Sequence, residues 1–389
     1  METATTDGYL KILDESYARA HKRLSKPFVT DGKISKRIET VAICLKNRAG
    51  VRALLACALA KIDNPKVDIR KPYTDIAGDD GSDSYSGRAY DESYISTLGG
   101  KPYNLPLNST TAFLTPGFRT KNIVLTTSVE LEGRPAEMYT AVLQLFDDIQ
   151  KKRVSAQDVM DETMRLLILE RDKRAASIKN LLKDIEHTAD KLPLSAEDIV
   201  RLVRQHLDCK NSSRLPVLVV AAAYRAAEKH LGERVLHVYP HNAADKQTGA
   251  AGDLEIALVG DDHTIAVYEM KMKPVTRGDV DHAVQNKLFL KKSSPGRTII
   301  KHYVFITTEE IDADVRKYAT DLYEQLGGVE IAILTCLGFI AHFLHLFHRL
   351  RNDFLDEYQN LVLKESESAV SHTLKEALLT LRKAAEGAK

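Results

Sequence analysis

The stretch from Gly252 to Lys273, GDLEIALVGDDHTIAVYEMKMK, limits the fold more than any other part of the chain. Apolar residues fill two runs, 254–259 and 264–272, and Gly260-Asp261-Asp262 between them is a tight-turn signal. The pattern predicts an antiparallel hairpin. Further strands are expected at 235–239, 303–307 and 329–335, and a helix over Asp279–Lys292, where Val280, Val284 and Leu288 keep helical spacing. Strands and helices in that order imply an α/β core built on a mixed sheet.

Upstream, the texture changes twice. Residues 8–61 read as two helices, and 136–208 and Pro216–His230 as more helix. Ser195 followed by Asp198 has the form of a helix N-cap with an acidic first turn. Between these lies 69–122, rich in Gly, Ser, Asp, Asn, Pro and Tyr and without periodicity. Irregular segments of that length are either disordered or functional, and the anchors Tyr90, Tyr94, Phe113, Leu114 and Phe118 favour order. The expected division is a helical N-terminal region at 1–65, an irregular region at 66–135, a helical region at 136–210, and an α/β core with C-terminal helices at 211–389.

Composition narrows the classes. A chain of 389 residues, 44% hydrophobic and 28% charged, can bury a sizeable core. Its formal net charge of +1 gives no global attraction to nucleic acid, so any such case must be local. Cys44, Cys57, Cys209 and Cys336 form no C-x-x-C pair, which argues against structural zinc and a disulfide framework. The longest apolar run, Val329 to Phe347, is broken by Glu330, His342 and His345, and reads as a buried strand and helix rather than a membrane span. With no basic-then-apolar leader at the N-terminus, the protein is expected to be cytoplasmic.

The chemistry is concentrated on the hairpin. Asp253 and Glu269 lie eight residues either side of Asp261, so a turn there sets them opposite each other. Lys271 is two residues beyond Glu269. Side chains two apart on a strand share a face, about 7 Å apart. Two carboxylates suit Mg²⁺, with Mn²⁺ as a substitute, and the Met270 carbonyl is a plausible further ligand. An ammonium beside them can orient a nucleophile and stabilise a charged phosphate. Glu255 shares the Asp253 face and is a possible additional acid. From 271 to 301 eight Lys or Arg, among them Lys287, Lys291 and Lys292, face two Asp, a local excess suited to a phosphate backbone.

The arrangement D-x(15)-E-x-K resembles the PD-(D/E)xK nuclease superfamily, with Gly252 where that motif often carries Pro. The resemblance implies its mixed-sheet nuclease core, and a further acid from the preceding helix, for which Glu228 is the candidate. The strings KPYTDI, YSGRAYDESYI and LPLNSTTAFLTPGFRT resemble the SacI-type family of type II restriction endonucleases. This implies a homodimer that cuts double-stranded DNA at a short palindrome, paired with a protective methyltransferase. Arg88 and Arg119 suit guanine edges or phosphates, and Asn108, Thr110, Thr111 and Lys121 suit base or phosphate contacts. A structure-specific or repair nuclease and a non-catalytic DNA-binding module are the alternatives.

Overall fold

The computed structural model describes residues 3–44, 46–108, 110–186, 193–238, 251–288 and 300–387. The chain forms two compact units, Met1–Ala176 and Ser177–Lys389.

The first unit is helical: α1 (Thr3–Lys22), α2 (Gly32–Ala42), α3 (Ala49–Asp63), α4 (Gly87–Ser93), α5 (Ala136–Gln150) and most of α6 (Ala156–Glu186). Every residue of α3 from Ala49 to Ala60 is buried. A helix that is covered all round belongs at the centre of a domain. The irregular 66–135 region has no strand among its described residues, yet it is ordered on α3. Tyr73, Tyr85, Phe113 and Phe118 are in the core. Arg52 of α3 explains much of that order: its guanidinium pairs with Asp91 at 2.6 Å and donates to Ser96 Oγ (2.8 Å) and the Asn108 carbonyl (2.7 Å). The second Asp91 oxygen accepts from the Ala112 N–H at 2.6 Å. A buried charge is tolerable only when it is paired and hydrogen-bonded in this way.

The second unit is mixed α/β. α7 (Ala196–Leu207) starts at a capping box in which Ser195 and Asp198 satisfy each other's backbone N–H. α8 (Leu215–Leu231) stops at Gly232, held at φ +67°. A five-stranded sheet follows in the order β1 (Glu233–Val238), β2 (Leu254–Leu258), β3 (Thr264–Lys271), β4 (His302–Thr307), β5 (Glu330–Thr335). β1, β2 and β3 are antiparallel; β3, β4 and β5 are parallel. Parallel neighbours need a crossover: α9 (Arg277–Ala283), continued by a π turn over Val284–Leu288, lies between β3 and β4, and α10 (Ala313–Asp321) between β4 and β5. α11 (Cys336–Leu346), α12 (Arg351–Lys364) and α13 (His372–Gly387) complete the unit.

Strand alternation gives the sheet two faces. Leu254, Ile256, Ala266, Tyr268, Val304 and Ile306 pack under α7, α8 and α11–α13. Val267, Tyr303, Phe305, Ile331 and Ile333 pack under α9, the π turn and α10. The candidate site residues of the hairpin share this second face.

His206 sits at the heart of the first layer, and its bonds define its proton. The Leu374 carbonyl can only accept, so Nε2 (3.0 Å) carries the hydrogen; Nδ1 then accepts from the Tyr358 hydroxyl at 2.8 Å. Burial pushes the ring down to about 4, against the opposing effect of the Leu374 bond. The unfolded chain therefore binds a proton that the folded chain refuses. Stability is expected to be full above about pH 6.5 and to fall between there and about pH 4, by about 3 kcal/mol from this group. Urea unfolding across that range checks it: His206→Gln should flatten the acid limb, and an unaltered limb would contradict it.

Candidate active site

The hairpin register follows the spacing. Leu254 pairs with Tyr268, Glu255 with Val267 and Ile256 with Ala266; a bulge then moves Ala257 onto Thr264. One step outward from the first pair, Asp253 faces Glu269. The Asp253 carboxylate is fixed across the strands, its Oδ2 accepting the Met270 N–H at 2.7 Å. Lys271 stands between two acids, 3.4 Å from Glu269 Oε1 and 3.3 Å from Asp279 Oδ1. The structure thus brings Asp253, Glu269 and Lys271 together at one end of the β2–β3 pair.

Their electrostatics follow from crowding. Burial lifts the Glu269 carboxyl above its ordinary range, and the charge of Asp253 lifts it further; Lys271 and Lys287 oppose both. Burial alone would lower the Lys271 ammonium, but Glu269 and Asp279 outweigh it and hold it raised. The lysine is therefore held charged.

Backbone direction adds a donor. The carbonyls of Ile265 and Lys271 accept from Lys301 and Thr308, on the β4 side. Residues of even number on β3 turn the other way, so the Met270 N–H and carbonyl both face the Asp253 side. Two carboxylates and a carbonyl form a hard-oxygen donor set of the kind Mg²⁺ takes.

Close packing explains Gly252. A Cβ there would stand 2.5 Å from Val267 Cγ1 and 2.8 Å from the Tyr268 carbonyl oxygen. Neither proline nor any other side chain fits without moving β3. From β4, the Tyr303 hydroxyl donates to the Ala251 carbonyl at 3.3 Å and lies 3.5 Å from Glu269 Oε2.

The other candidates differ in their surroundings. Glu255 is buried and committed: its oxygens accept from the Ala251 N–H (2.6 Å) and the Thr264 hydroxyl (2.8 Å), tying the chain before β2 to the hairpin. Glu228 is half-buried on α8, a helix that packs against the opposite face of the sheet. Lys287 is buried, only 8% exposed, and its charge is felt at Glu269. Lys291 and Lys292 lie outside the described residues.

In the first unit, Arg88 is exposed and paired with Glu92 at 2.7 Å, and Lys121 with Glu132 at 2.9 Å. Thr110 and Arg119 are exposed, the latter with no ion pair among the described residues. Thr111 is buried, and its Oγ1, like Asn108 Oδ1, is shielded without a hydrogen-bond partner among the described residues.

Asp279 was not singled out from the sequence. It closes a capping box with Thr276, whose N–H and hydroxyl donate to Oδ2 at 3.0 and 2.7 Å, leaving Oδ1 for Lys271. Threonine three residues before an acid, just after a strand, is the signal that could have found it.

Fold and site together define a mixed α/β unit bearing a two-acid, one-lysine cluster at the end of a hairpin. Residues 189–294, which contain the whole cluster, match the family model of the SacI restriction endonuclease C-terminal domain, and the match supports a SacI-type restriction endonuclease. No curated protein matches the chain. The matched stretch begins after the 71–122 region and does not cover the strings there. No helix among the described residues is long and apolar enough to cross a membrane.

Proposed function

We propose that the chain is a Mg²⁺-dependent type II restriction endonuclease that hydrolyses duplex DNA at a short palindromic site, using Asp253, Glu269 and Lys271 on a PD-(D/E)xK core. The observation that carries this reading is the meeting of those three side chains inside the stretch matched to a restriction-endonuclease domain.

Asp253, Glu269 and the Met270 carbonyl would hold the cation. When bound, Mg²⁺ supplies Lewis-acid polarisation of the phosphate and acidifies a coordinated water. The rest falls to the chain. Asp253 keeps its orientation because one oxygen is tied to the Met270 N–H. The Lys271 ammonium, held charged by Glu269 and Asp279, can orient the attacking water and stabilise the charge that develops on the phosphate. Arg88, Arg119 and Thr110 are exposed on the first unit and available to DNA, whereas Lys121 is half-buried and paired with Glu132. A homodimer would match a palindrome by symmetry, and such an enzyme, cytoplasmic, would act beside a methyltransferase that protects the same site.

Digestion of a supercoiled plasmid in Mg²⁺, with the ends sequenced, tests the reading. Discrete fragments with one shared palindromic end sequence are expected. A smear would mean a structure-specific or repair nuclease, and a mobility shift without cutting a non-catalytic DNA-binding module.

A further inference from the structure

Lys287 is a second cation whose charge is felt at Glu269, and the chemistry above gives it no task. It lies on the π turn that continues α9. Val280, Ala283 and Leu288, around it in sequence, share one apolar cluster with Val267 and Tyr303, on the sheet face that carries the acids. Lysine is rarely buried this far without a carboxylate close by, and the Lys287 charge reaches Glu269. Both Lys287 and Leu288 are buried on the turn. π turns cost regular helical hydrogen bonding and recur at functional sites.

Charge balance gives the lysine its role. Three carboxylates, Asp253, Glu269 and Asp279, are gathered here, and Lys271 is held between two of them. A phosphodiester brings one more negative charge, and its transition state adds another.

We propose that Lys287 is a further catalytic residue, whose ammonium contacts a non-bridging oxygen of the scissile DNA phosphate and stabilises its added charge, leaving Lys271 to the attacking water. This rests on the nuclease reading. The water oxygen forms the new P–O bond, the bond to the leaving sugar oxygen breaks, and that oxygen takes up a proton while the water gives one up. Lys287 contributes charge to this step and exchanges no proton in it.

The experiment compares wild type with Lys287→Met and Lys287→Gln by single-turnover cleavage of a cognate duplex at saturating enzyme in Mg²⁺. Affinity for that duplex in Ca²⁺ and the thermal midpoint are measured alongside. Methionine has similar length and no charge, and removing a buried charge for an apolar group is often neutral for stability. The cleavage rate is expected to fall by about 100-fold or more, the loss typical of one preorganised group at a reaction centre, with affinity changed only a few-fold and the fold intact. A folded variant that cuts within a few-fold of wild type overturns the proposal. So does a loss of affinity equal to the loss of rate, which would make Lys287 an ordinary phosphate anchor. Loss of the fold in both variants would assign the side chain to packing and overturn it too. An Asp253→Ala arm keeps the two ideas apart: if that variant still cuts, the nuclease site itself is wrong, whereas normal cutting by Lys287→Met beside a dead Asp253→Ala removes only this inference.

Discussion

Glu269→Ala, Asp253→Ala and Lys271→Ala should each reduce DNA cleavage by about a hundred-fold to a thousand-fold while leaving the fold and much of the DNA binding intact. The three groups meet at one point, so each deletion removes an electrostatic element from the same reaction centre, where a single such loss costs about 10²–10³. Affinity should respond differently. Removing Asp253 or Glu269 also removes a negative charge that repels phosphate, so binding in Ca²⁺ should hold or tighten. Lys271→Ala should lose rate without that gain. Single-turnover rates set against Ca²⁺ affinities separate the two effects. A folded Lys271→Ala variant near the wild-type rate would mean that a different lysine serves; Lys273, exposed and just past the end of β3, is the next in the chain.

Much of this site could be read in one dimension because a hairpin is a local object. Its turn sets the register and its period of two sets the faces, so the meeting of Asp253 with Glu269, and the place of Lys271 beside them, follow from counting. Glu255 shows where counting stops. It lies on the expected face, but whether its carboxylate reaches the site or is consumed by Ala251 and Thr264 depends on the path of the chain before β2.

Asp279 and Lys287 come from the crossover, and placing them needs the packing of α9 on the sheet. A partial signal existed for Lys287: seven residues after Val280, it falls on the same helical face as that core residue. Its place among eight basic residues at 271–301 hides this.

The 66–135 region was legible as irregular and aromatic. Its organising contact was not, because Arg52 and Asp91 are 39 residues apart and neither local pattern points to the other. The same holds for the shielding of Thr111, which hydrogen-bonding capacity alone placed with the DNA contacts. For Glu228, the nuclease resemblance implies an approach to the site, and the face of the sheet that α8 covers is what the sequence pattern does not supply.

Metal dependence is the second large effect. Burial and the Asp253 charge both lift the Glu269 carboxyl, so its charge is costly to hold unless a cation lies beside it. The Met270 carbonyl faces the same side and completes a donor set of hard oxygens. Stripping divalent ions should therefore end cleavage outright rather than slow it by degrees. Mg²⁺ should restore it, Mn²⁺ should substitute, and Ca²⁺ should support binding without efficient cutting. The most direct test is cleavage of duplex DNA by EDTA-treated protein, before and after Mg²⁺ is added back in excess. The expected result is no product before addition and full cutting after it; full activity in excess EDTA would contradict the account.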